Sequence, residues 1–129
     1  MESTEDEFRE YCIKHGFSDR VLKGGPEYLI RKWEGAAKAI ERGTFVDYEF
    51  LMWMGTRQVL HELIPAMTEA QWSSISDRVD KTDGRVKELT VPSDKCIKRS
   101  GASGNELLKH EVHWWYFRVP KKLPVVWKL

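Results

Sequence analysis

GGPEYLIRKWEGAAKAIERG, residues 24–43, has the pattern of a long amphipathic helix. Leu29, Trp33, Ala36, Ala37 and Ile40 recur at three- and four-residue intervals, which lines them along one side of an α-helix. Glu27–Arg31 and Glu34–Lys38 are i,i+4 pairs on the opposite side, each contributing a few tenths of a kcal/mol. Pro26 suits the first helical position, where its missing N–H would have had no partner in any case. Gly43 supplies the left-handed residue that ends a helix. A helix with one apolar stripe and one charged side must set the stripe against neighbours.

The neighbours are legible on both sides. Over Ser3–His15, Phe8, Tyr11, Cys12 and His15 share one helical face, and Cys12 reads as a small core residue. A third helix is expected to start with Asp47 as N-cap and to stop before Pro65. Its first half is apolar nearly all round, which predicts a central helix. Gly55 inside it costs about 1 kcal/mol, and close approach of another backbone would explain keeping it. A fourth helix begins at Thr68, whose spacing to Gln71 fits a capping box. Trp72, Ile75, Val79, Thr82, Val86 and Leu89 carry its rhythm straight through Asp83-Gly84, so one helix with a weak point is predicted.

Val91 to Gly104 reads as a loop, followed by a short fifth helix capped by Asn105. Beyond it HEVHWWYFRVP, residues 110–120, favours extended chain, and Pro120 and Pro124 exclude a continuous helix. The expectation is one all-α domain over residues 1–129, a compact bundle of four to five helices. Residues 1–90 form its body, 91–104 a loop, and 105–129 a short helix plus an extended aromatic segment packed across the body.

Bulk properties narrow the function. The 129 residues suffice for one core without metal or disulfide, and 41% apolar content is globular. No apolar run reaches the roughly 20 residues of a membrane helix, and the acidic MESTEDEFRE lacks the layout of a secretion signal. Two cysteines make no disulfide framework, so a soluble cytoplasmic protein is expected, with no membrane partner. Residues 1–94 hold 13 Lys/Arg against 18 Asp/Glu, a net of −5, and residues 95–129 hold eight against two, a net of +6. Such a basic end seeks phosphates, an acidic partner, or its own acidic body.

Three stretches together resemble a group of short, uncharacterised bacterial proteins: LIRKWEGAAKAIERG (29–43), FLMWMGTRQVLHEL (50–63) and HWWYFRVP (113–120). The resemblance implies an all-helical body with an aromatic tail and carries no activity. Relatives would hold acidic or amide residues before the arginine of the second stretch, where this chain has Met52, Trp53 and Gly55.

His110, Glu111 and His113 do not make the three or four ligands that zinc needs, and HELIP at 61–65 lacks the second histidine of a zincin, so no metal is expected. DKTDGRVKE is no calcium loop, because aligning Gly84 puts Val79 where the first aspartate belongs. KGGPE is no phosphate loop, because its lysine precedes the glycines. No catalytic set and no cofactor site is discernible, which leans against an enzyme.

Three functions remain. The favoured one is protein–protein interaction or self-association, a regulatory or binding domain using a helix face or the aromatics Trp114 and Tyr116 with Arg118. Nucleic-acid association through Lys95, Lys98, Arg99, Lys121 and Lys122 is the first alternative. The second is a small-molecule or anion site on the third helix, where Phe50, Trp53, Arg57, His61 and Ile64 share a face, Arg57 gripping an anion and His61 handling protons. Its plainer counterpart is an arginine laid over Trp53 or paired with an acid, and an aromatic tail that seals the bundle as a strap.

Overall fold

The computed structural model of the protein describes residues 5–97, 112–123 and 127. Four α-helices come first: α1 Glu5–Lys14, α2 Asp19–Arg42, α3 Asp47–Leu63 and α4 Glu69–Leu89. A 3-10 turn, Ile64–Ala66, links α3 to α4. Strand β1, Thr90–Pro92, pairs antiparallel with β2, Arg118–Pro120, and a second 3-10 turn, Trp114–Phe117, leads into β2.

The second helix begins seven residues before Pro26. Gly25 sits inside it at φ 60°, ψ −153°, a backbone region open in practice only to glycine, and kinks the helix there. Gly24 is constrained too, since a Cβ on it would lie 2.4 Å from the Cβ of Tyr28. Sequence periodicity sees only the part after the kink, because Asp19–Gly24 adds just Val21 to the buried face. Gly43 closes α2 at φ 76°, as expected.

α2, not α3, is the central helix. It packs along both α3 and α4, while α3 and α4 touch each other far less. Its buried face is therefore broad, with Ile30 and Trp33 fully enclosed. On α3, by contrast, Tyr48 and Met52 stand in solvent, so the apolar first half of that helix is covered on one side only. Asp47 is the first helical residue instead of the cap. The Val46 N–H donates to Glu49 Oε1 at 3.0 Å, closing the helix start.

α2 and α4 run parallel, joined by acids spaced seven apart on α2. Arg78 donates to Glu34 through Nε and Nη2 at 3.1 and 2.6 Å and to Glu27 through Nη1 at 2.6 Å, while Arg85 pairs with Glu41. Glu34 thus pairs across helices instead of along its own with Lys38. The Arg78 guanidinium holds the carboxyls of Glu27 and Glu34 below the usual range. Thr68 caps α4 as the spacing predicts, its Oγ1 accepting from Gln71 N while Gln71 Oε1 accepts from Thr68 N. The helix runs unbroken through Asp83-Gly84.

The carboxy-terminal chain departs from an unpartnered extended strap. Val91 lies in β1 and is paired with Val119, so the start of the expected loop is a ladder. WWYF is a single 3-10 turn, which puts Trp115 and Tyr116 both into the core at 1% and 3% exposure, whereas an extended chain would alternate them. Ser93 N donates to Phe117 O and Ile97 N to Tyr116 O, tying the two ends together. The segment does close over the helices, packing chiefly on α3. The expected fifth helix at Asn105, along with Lys98, Arg99, His110 and Glu111, lies outside the described residues. Among the described residues no helix is long and apolar enough to cross a membrane.

Candidate functional site

The gap between α3 and α4 is bridged by charge. Arg57 points from α3 and Asp83 from α4, and the pair is bidentate: Nε donates to Oδ1 at 2.9 Å and Nη2 to Oδ2 at 3.1 Å. Trp33 Nε1, from α2, donates to the same Oδ1 at 2.9 Å, so one carboxylate gathers three helices. Both side chains of the ion pair are mostly enclosed. The indole of Trp115 lies over the guanidinium, with Cζ 4.6 Å from the ring centroid. Arg57 Nη1, which has no hydrogen-bond partner among the described residues, therefore has this ring system as its neighbourhood.

Trp115 is held in turn. Its Nε1 donates to Gln58 Oε1 at 3.1 Å, and Gln58 Nε2 donates to Glu62 Oε1 at 3.1 Å. His61 packs against this indole at 5.5 Å and against His113 at 5.3 Å, ring centroid to centroid. Burial, then the neighbouring His113 and Arg57, push the His61 imidazole below its ordinary value of 6.5, with Glu62 opposing.

The site residues expected within the described chain thus have a place. Arg57 and His61 come together beside Trp115, and the ring over Arg57 is Trp115, not Trp53. Trp53 is half-buried and meets Phe45 edge-on at 5.4 Å. Trp114 is half-buried under the Lys87 ammonium, 4.6 Å from its ring. Tyr116 is buried against α3. Arg118 is bound to the end of α4: Nε donates to Thr90 Oγ1, and Nη2 to the carbonyls of Lys87 and Thr90. These carbonyls sit at the negative end of the α4 dipole, which suits a cation even as burial lowers the Arg118 pKa. Lys95, Lys121 and Lys122 are exposed. Among the described residues no group of three His, Cys, Asp or Glu is placed to hold a metal ion.

Two features escaped the sequence reading. Asp83 is one; its signal is an acid set between Val79 and Val86 on an otherwise apolar face. The other is an open groove of about 320 Å³ where the α1–α2 corner, α2 and α3 meet. Phe17 and Val21 line it from the corner, Tyr28 and Lys32 from α2, and Met52, Gly55, Thr56 and Val59 from one face of α3. Tyr48, one turn before Met52, continues that face.

Compared with protein-family models, curated proteins and solved structures, the chain matches none.

Proposed function

We propose that the protein is a small cytoplasmic protein-binding domain whose role is regulatory or assembling, not catalytic. One observation carries the reading: Tyr48 and Met52, neighbours on one helix face, are 66% and 54% exposed beside an open groove. Covering two such side chains adds roughly 1–3 kcal/mol each to an association, and paired large apolar groups at a groove are the usual form of a docking surface. The strongest polar groups support the same reading, since Arg57 and Asp83 neutralise each other's charge inside the fold. With Trp115 and Tyr116 buried, the exposed apolar side chains of α3 support a docking surface better than the aromatic segment does. Free thiols at Cys12 and Cys96 suit a reducing compartment.

In-cell photocrosslinking tests this. A benzophenone side chain replacing Met52, and separately the exposed Val91 and Leu123, should yield a discrete protein adduct at one position or more. No adduct at any of the three positions overturns the reading.

A further inference from the structure

The α2–α3 groove is lined on its α3 side by a glycine in a conformation that any residue can adopt. Gly55 is helical, with no positive φ. Among the described residues, a Cβ built on it would meet only the Tyr116 hydroxyl oxygen, at 3.9 Å, an ordinary contact. Among the described residues no other backbone comes within 4 Å of that position, so they do not supply the packing reason expected from the sequence. Glycine in a helix interior forgoes about 1 kcal/mol relative to alanine, and here nothing within the described chain compensates. Gly55 lies between Met52 and Thr56 along the groove wall and adds no side chain to it.

The groove also has a charge. Lys32 lines it, and Lys14, Arg20 and Lys23 each lie within two residues of a lining position at the α1–α2 corner, against a single acid there, Asp19. None of the four cations forms an ion pair among the described residues; Lys32 instead lies over the Tyr28 ring at 5.5 Å. The acids flanking Tyr48 at the far end already accept hydrogen bonds from the start of α3. From Tyr48 to Val59 the apolar face spans about 17 Å at 1.5 Å per residue, which is about three turns of a helix.

We propose that this groove receives an amphipathic helical segment of a partner protein, its apolar stripe on Met52, Tyr28 and Gly55 and its acidic residues toward Lys32, Arg20 and Lys23. Apolar anchors at i, i+3 or i+4 and i+7 match the spacing of the α3 wall. Met52 is an adaptable lid on such a stripe because its thioether chain bends around different partners. Cations at the corner with no ion pair among the described residues set orientation and speed encounter with an acidic segment. The inference rests on the protein-binding reading and narrows it to one surface and one partner chemistry.

A displayed library of random helical peptides, selected on the full-length protein, tests it. Enriched peptides should carry the i, i+3/i+4, i+7 apolar pattern with flanking Asp or Glu. Lys32→Glu and Met52→Glu, both exposed enough to leave the fold intact by circular dichroism, should each weaken such peptides by roughly tenfold. Gly55→Ala should weaken them severalfold while raising thermal stability, a combination that a merely structural glycine would not give. Enrichment of basic peptides, no enrichment, or binding indifferent to all three substitutions overturns the proposal. So does concentration-dependent self-association that Met52→Glu abolishes, since the occupant would then be a second copy. Crosslinked adducts at Val91 or Leu123 but not at Met52 would remove the groove and leave the protein-binding reading standing.

Discussion

Asp83 accepts from Trp33 Nε1 and twice from Arg57, so its removal leaves a guanidinium enclosed without its counter-charge. Breaking one side of a buried pair costs about 3–5 kcal/mol, whereas replacing both partners with apolar groups is often near neutral. Asp83→Ala is therefore expected to lower the urea midpoint sharply, and Arg57→Met combined with Asp83→Leu to recover most of the loss. If the double variant is as unstable as the single one, the ion pair is not the source. His61 gives a second expectation, in pH. Its folded-state pKa is depressed, mainly by burial, with His113, Arg57 and Glu62 as its charged neighbours. The unfolded chain then takes up the proton more readily, so this stability is complete above about pH 6.5 and is lost as pH falls through the lower folded value. Glu27 and Glu34, also depressed, lose theirs only below about 4.5, which separates the two windows. Denaturation midpoints between about pH 7.5 and about pH 5.5 should fall less in His61→Gln than in the wild type. The face holding Arg57 and His61 was legible in the sequence because it follows one helix. Asp83 was not, because its partner lies 26 residues away on another helix and a lone acid reads as a solvated one.

At the scale of elements, the same substitution should have opposite signs in two helices. Gly25→Ala in α2 forces a Cβ into a left-handed, glycine-only region and is expected to cost about 1–3 kcal/mol. Gly55→Ala in α3 meets no such strain and is expected to gain up to about 1 kcal/mol. Thermal unfolding of the two variants checks both; a loss at Gly55 would mean that Tyr116 cannot accommodate a methyl group nearby. The stripe after Pro26 and the caps at Gly43 and Thr68 could be read directly, since each is a local rule about a few neighbouring residues. Which helix is central could not. Apolar density placed α3 in the middle, but Tyr48 and Met52 stand on an outer surface, while α2 packs on both neighbours and buries Ala36 and Ala37 among its larger apolar residues.

Two helices that barely meet, α3 and α4, need something else to close the space between them. Arg57 and Asp83 span it, and the 3-10 turn seals it with Trp115 and Tyr116, anchored by a three-residue ladder to the end of α4. The chemistry of that seal was visible in the run of aromatics, but its shape was not. A single 3-10 turn and strands of three residues are too short to leave a period, and Thr90 pairs with Pro120 across 30 positions. Truncating one large buried aromatic to alanine costs about 3–5 kcal/mol, and a domain of this size holds only about 5–15 kcal/mol in all. Ending the chain after Gly104 removes Trp115, Tyr116, Trp127 and the β2 strand at once, and with them the ring over Arg57. The shortened chain is expected to keep most of its far-ultraviolet helical signal, to lose its near-ultraviolet signal, to bind a hydrophobic dye and to unfold without a cooperative transition. A shortened chain with a sharp thermal transition near that of the intact protein would mean that α1–α4 hold themselves together. The aromatic segment would then be a passenger on the bundle instead of its closure.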